Sequence, residues 1–297
     1  MAARREDPVF EKFDAKTIDT GETTIHAMVG GKGPPLLLLH GYPQTHVMWH
    51  KIAPELAKHF TVVATDLRGY GDSGKPDSDD KHAAYSKRAT AQDQIKVMEG
   101  LGFARFMVAG HDRGGRVTHR MCLDWPDQVI RASIMDIVPT AVVFGTIDQR
   151  IATAYYHWFF LIQPYDFPET LIGANPEYYL RRLLGGLAAD GAVTSEAFSE
   201  YLRAFRDKRT IHATCEDYRA AASIDLEHHR ADGGKRIGCP LQVLWGEKGL
   251  VGKAYDPLKV WHDWADNVVG QAMPSGHFIP EEAPKECLKA MLEFFQA

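Results

Sequence analysis

Five short stretches of the chain are apolar at nearly every position: "PPLLLLHG" at 34–41, "TVVATDLRG" at 61–69, "RFMVAGHD" at 105–112, "RASIMDIVP" at 131–139 and "PLQVLWG" at 240–246. A strand with one wet face alternates apolar and polar residues, so strands this uniformly apolar are covered on both faces. They predict a parallel sheet buried between helices, with the helical patterns at 85–101 and 114–124 as crossovers in β-α-β order. The expected class is α/β, doubly wound, with a mostly parallel central sheet flanked by helices.

From about 141 to 224 the pattern changes to aromatic, proline-punctuated helical segments such as "AYYHWFFLIQPYDFPE", "NPEYYLRRLLGGL" and "SEAFSEYLRAFRD". No buried strand fits there, and strand patterning resumes only near 240. The simplest organisation is a core of 1–140 and 225–297 carrying an inserted helical cap at 141–224. Such an insertion would lie over the carboxyl ends of the strands, where open α/β sheets bind ligands. It would close a pocket against water.

The bulk properties narrow the partners. A chain of 297 residues can bury a full core. Its formal charge of -5 offers no broad basic field for nucleic acid or anionic membranes, although a local positive pocket is compatible with it. No segment approaches the ~20 apolar residues of a membrane span, and the two arginines of "MAARREDPVFEKFDAKT" have no apolar stretch behind them. Cys122, Cys215, Cys239 and Cys287 are scattered, without C-x-x-C or metal-ligand spacing, and read as reduced, mostly buried thiols. The expectation is a cytoplasmic protein with no metal and no membrane anchor.

Chemistry concentrates in "GHDRGGR" at 110–116. Strand, tight turn with small residues and helix make a nucleophile elbow, but the residue on it is Asp112 where a serine is usual. A carboxylate attacking an sp3 carbon displaces a leaving group and forms an alkyl ester, which water then cleaves. The general base must therefore activate water. His277, on the late loop "SGHF", fits that role. A third group must orient the imidazole, and either Asp136 in "MDIVP" or Glu247 in "WGEKGL" could supply it. Arg113 and Arg116, three apart, share a face at the start of the following helix, where the helix dipole disfavours cations. An anionic substrate would offset that cost, since two guanidiniums can neutralise a carboxylate and orient it bidentately.

Taken together, HGYPQ, DLRGYGDS, GHDRGGR, MDIVPT, the His157-Trp158 pair and SGHF resemble the aspartate-nucleophile branch of the α/β-hydrolases, most closely the fluoroacetate (haloacetate) dehalogenases, from about residue 25 to the end. The resemblance implies an α/β-hydrolase fold with a helical cap, and a catalytic set of Asp112, Asp136 and His277. Asp136 is favoured over the later acid because Gly249 stands where many relatives carry an aspartate. It implies oxyanion donors in the backbone N–H groups of Tyr42 and Arg113, and carboxylate recognition by Arg113 and Arg116. Arg113 replaces the tryptophan of relatives with neutral substrates. His157, Trp158 and Tyr218 match the family's halide-binding trio. The activity implied is hydrolysis of a small anionic haloacid, fluoroacetate or chloroacetate, to glycolate and halide, without cofactor, by a homodimer.

Two alternatives remain at this point. An epoxide hydrolase would share Asp112 and His277 but usually needs two cap tyrosines to protonate the opening ring, and a non-catalytic receptor could keep the pocket without turnover. Other prominent residues are expected to be structural: His40 in a turn, His111 beneath the elbow, His228 and His229 in a solvated loop, Trp49 and Trp245 in the core or pocket wall, and the acidic run 77–80 in a loop.

Overall fold

The computed structural model describes residues 10–188 and 191–297. Arg4 and Arg5 of the N-terminal reading and positions 189–190 of the expected cap lie outside the described residues. The strands are β1 (Asp14–Asp19), β2 (Thr24–Gly30), β3 (Pro35–Leu39), β4 (Thr61–Thr65), β5 (Phe106–His111), β6 (Val129–Met135), β7 (Leu241–Gly246) and β8 (Val268–Met273). They form one eight-stranded sheet in the order β1-β2-β4-β3-β5-β6-β7-β8. β2 pairs antiparallel with β1 and β4, and every other pairing is parallel.

The apolar runs become central strands because both faces of the sheet are covered. Leu36 and Leu38 pack into the cluster on one face, Leu37 and Leu39 into the cluster on the other. All four side chains are fully buried, each contributing about 1.5–3 kcal/mol by removal from water. Truncating Leu38 to alanine in so filled a layer would cost about 2–5 kcal/mol. β1 and β8 escape the apolar-run criterion for the opposite reason: β1 leaves nearly every residue exposed, and β8 buries only its last residue.

Between β6 and β7 the described residues form only helices, from Thr140–Gly145 to Ile224–Asp232. Local signals start several of them. Asn175 caps Pro176–Leu187 by accepting from Tyr178 N–H, and Asp207 caps Lys208–Ala222 by accepting from Arg209 N–H. One expectation fails here. His228 and His229 are half-buried on Ile224–Asp232 rather than solvated in a loop, because the helix docks against the core, with the His229 ring 4.6 Å from that of Trp264. No helix among the described residues is long and apolar enough to cross a membrane, and all four cysteines are free thiols.

The sheet sets where chemistry can occur. Tyr42 follows β3, Asp112 follows β5, Asp136 follows β6 and His277 follows β8, so all four emerge at the carboxyl edge.

Candidate active site

β5 ends at His111 and the helix Arg113–Asp124 begins one residue after Asp112, which alone must turn the chain. Asp112 does so at φ 46° and ψ -112°, a conformation that costs a non-glycine residue about 1–3 kcal/mol. The flanking glycines are required by contact. A Cβ at Gly110 would overlap the Gly114 carbonyl, and one at Gly114 would overlap the carbonyls of Leu39 and His40. The G-x-D-x-G spacing thus lets strand and helix touch while lifting one carboxylate out of the turn.

Asp112 is buried, at 6% exposure, and Tyr42 N–H donates to its Oδ2 at 3.0 Å. No hydrogen bond runs from Arg113 N–H to that carboxylate among the described residues. Burial alone would favour the neutral acid, but the nearby His277, His111, Arg113 and Arg116 outweigh it and hold the carboxyl down at about 2. Asp112 is an anion at any physiological pH.

His277 Nδ1–H donates to Asp136 Oδ2 at 2.6 Å, and Asp136 Oδ1 accepts from Gly246 N–H at 2.9 Å. This pins the carboxylate and fixes the imidazole tautomer, leaving Nε2 with the lone pair. Burial works against the imidazolium, yet Asp136, and after it Asp112, raise His277 above the ordinary histidine range. Glu247 is exposed and takes no part. Two supports of the His277 loop carry no clear mark in the sequence. His111 Nε2–H donates to the His277 carbonyl at 2.7 Å, its ring kept neutral by burial, which lowers it to about 3. Glu282 accepts from the N–H groups of Gly276 and Phe278 at 2.7 and 2.8 Å, bracketing His277.

The two arginines are buried beside the elbow, Arg113 completely and Arg116 at 4% exposure. Arg113 Nε and Nη2 donate to Asp217, at 2.7 Å to Oδ2 and 2.7 Å to the backbone carbonyl. Arg116 Nη1 donates to the Val138 carbonyl at 3.0 Å and Thr140 Oγ1 at 2.9 Å. In each guanidinium one buried nitrogen, Nη1 of Arg113 and Nε of Arg116, makes no hydrogen bond among the described residues. The arrangement differs from a free fork on Arg113: its Nε and Nη2 are both engaged by Asp217.

Aromatic side chains complete the enclosure. The Tyr218 ring lies 4.2 Å from the Arg113 guanidinium carbon and the Trp158 ring 4.6 Å from that of Arg116. His157 and Trp158 lie 5.9 and 5.8 Å from Tyr218 between ring centroids. All three are buried. Burial lowers His157 to about 3, so it is neutral, with Nδ1 unpartnered, and burial raises Tyr218 well above the ordinary phenol range, so it keeps its proton. Tyr155, which the sequence did not single out, stacks flat on Trp158 with centroids 5.6 Å apart. The structure brings Tyr42, Asp112, Arg113, Arg116, Asp136, His157, Trp158, Tyr218 and His277 together, leaves Glu247 outside, and adds Asp217, Tyr155, Glu282 and a bonding role for His111.

A carboxylate on a strained elbow, a carboxylate-oriented imidazole and a strand order of this kind define a class. Residues 34–284 match the family model described as the alpha/beta hydrolase fold, and the chain belongs to the α/β-hydrolase family. A fluoroacetate dehalogenase from Burkholderia sp is 44% identical over 96% of this chain and 95% of its own length. A soluble epoxide hydrolase from Corynebacterium sp. (strain C12) is 34% identical, covering 91% of this chain and 93% of its own. The crystal structure of ALR0039 from Nostoc sp PCC 7120 superimposes with a TM-score of 0.95 at 57% identity, over 96% of this chain and 99% of that one.

Proposed function

We propose that the protein is a hydrolytic dehalogenase of short haloacids, converting fluoroacetate or chloroacetate to glycolate and halide beneath a cap formed by residues 141–224. The observation that carries this reading is the pair of buried guanidiniums beside Asp112, each with a buried nitrogen, Nη1 of Arg113 and Nε of Arg116, that has no hydrogen-bond partner among the described residues. A buried donor without a partner costs about 1–3 kcal/mol, more when charged. A substrate carboxylate would satisfy both at once.

In this mechanism the substrate carboxylate sits against Arg113 and Arg116, and the halogen points towards His157, Trp158 and Tyr218. Tyr42 N–H already engages Asp112 Oδ2, so Oδ1 is the attacking oxygen. It forms a bond to the α-carbon as the carbon-halogen bond breaks. The halide leaves with the bonding pair, stabilised by imidazole, indole and phenol donors. His277 Nε2 then takes a proton from water, whose oxygen adds to the Asp112 carbonyl carbon. Oδ2 carries the resulting oxyanion under the Tyr42 N–H; losing such a donor typically costs about 3–4 kcal/mol. Collapse breaks the bond between the carbonyl carbon and Oδ1, which leaves with glycolate and takes the proton back from the imidazolium; the water oxygen stays on Asp112 and loses its remaining proton to solvent, restoring the carboxylate.

Epoxide hydrolysis is the second reading, favoured by the Corynebacterium relative and by a Tyr218 hydroxyl that keeps its proton. The test is fluoride and glycolate release from fluoroacetate by the purified protein, beside Asp112→Ala and Arg113→Trp. Release by wild type, abolished by the first change and severely reduced by the second, is expected. Epoxide opening without fluoride release would select the second reading.

A further inference from the structure

Asp217 lies on the helix Lys208–Ala222, next to Tyr218, and is 5% exposed. Its Oδ2 accepts from Arg113 Nε at 2.7 Å and from the Tyr70 hydroxyl at 2.9 Å. Its Oδ1 accepts from the Lys87 ammonium, and its backbone carbonyl accepts from Arg113 Nη2. Burial opposes the charge of Asp217, but Arg113 and Lys87 hold the carboxyl well below its ordinary range. A residue of the inserted helices thus grips two faces of a guanidinium belonging to the core, at the start of the elbow helix.

We propose that Asp217 is a positioning residue for the substrate's carboxylate: by holding Nε and Nη2 of Arg113, it presents Nη1 to the anion. Recognition then depends on the register of cap and core. This rests on the haloacid reading of the site. Two features favour positioning over mere charge cancellation. Lys87 shares the carboxylate, so Asp217 is divided between two cations and does not neutralise Arg113 alone. The Tyr218 ring centroid lies 4.2 Å from the guanidinium carbon, so the same helix turn places both a neighbour of the arginine and the phenol assigned to the halide. Without the Asp217 carboxylate, Arg113 would keep only the backbone bond at Nη2, and the anion would have to order the rest of the guanidinium on binding.

The test compares wild type, Asp217→Asn and Asp217→Asn/Lys87→Met by three readouts: chloroacetate kinetics, acetate binding by calorimetry, and thermal midpoint. The double variant removes the ammonium that the single change leaves buried without its carboxylate. Expected for both variants is a rise of about ten- to a hundredfold in KM and in the acetate dissociation constant, with a smaller fall in kcat. The double variant recovers the thermal midpoint but not the affinity. An unchanged acetate affinity, or kinetic defects that vanish as the midpoint recovers, would overturn the assignment and leave Asp217 a structural clamp. Wild type that binds acetate but releases no chloride would refute the dehalogenase reading while the acetate comparison still decides Asp217. Wild type that binds no acetate refutes the proposal.

Discussion

The elbow of the core and the neighbouring helix of the insertion each bury an aspartate within reach of Arg113, and the two are treated in opposite ways. Asp217 has three side-chain donors and a fully engaged carboxylate. Asp112 has one backbone donor on one oxygen, a strained backbone, and charges that surround without binding it. Both are anions, but only one has an uncommitted oxygen. A buried carboxylate becomes a nucleophile when its charge is stabilised at a distance and its lone pairs are left open, and becomes a strut when donors occupy them.

The sharpest way to break this contrast is to stop the reaction with Asp112 half used. In His277→Gln the attack by Oδ1 needs no base, while ester cleavage does. Steady-state turnover should fall by about 10²–10⁴-fold, with near-stoichiometric halide release followed by arrest. Intact-protein mass spectrometry should find Asp112 carrying one carboxymethyl group. Arrest without that adduct would show that the carboxylate is not the nucleophile.

Wild type should separate the same two steps by pH. Asp112 is held at about 2 and is ionised from about pH 5 to 8, whereas His277, raised above its ordinary value by Asp136 and then Asp112 against the effect of burial, must be neutral to act. Rapid-quench halide bursts should therefore be nearly level from about pH 5 to 8, while glycolate formation climbs with pH through a limb near or above histidine's ordinary ~6.5. Esterification removes the Asp112 charge, so that limb should lie below the His277 titration of the free protein. A burst that falls together with glycolate as pH drops would contradict the division of labour. Asp136→Asn should lower glycolate formation by about 10²–10⁴-fold and leave the burst largely intact.

How much of this was legible in the sequence divides along the same line. The central strands could be read because two-sided burial makes Leu36 to Leu39 uniformly apolar, whereas β1, almost wholly in water, is polar, and β8 is broken by Gly270 and Gln271. Asp112 and His277 could be read because the elbow imposes glycines at fixed offsets and the late loop has its own motif. Asp217 could not. Its partners Tyr70, Lys87 and Arg113 lie 147, 130 and 104 residues away, and a long-range ion cluster has no periodicity or local spacing. The donors of Arg113 were overcounted for that reason: the sequence displays the guanidinium but not the Asp217 carboxylate and backbone carbonyl that engage its Nε and Nη2.

The smallest effect concerns Gly249, which follows β7 and faces the pinned carboxylate of Asp136. Its backbone, at φ -76° and ψ 174°, accepts any side chain, and a Cβ there would stand 3.4 Å from Asp136 Oδ2 and 3.3 Å from the Gly246 carbonyl. Gly249→Asp would cap the short helix Leu250–Ala254 while bringing a second carboxylate against Asp136, so that one of the two acids is pushed towards protonation. Alone, the change should lower glycolate formation only a few-fold. Combined with Asp136→Asn, it should recover roughly tenfold of the lost rate, since the new carboxylate can reach the Nδ1–H of His277 from the other strand. Equal losses in both backgrounds would mean that the imidazole accepts its orienting acid from β6 alone, and that the two strand ends are not interchangeable around this histidine.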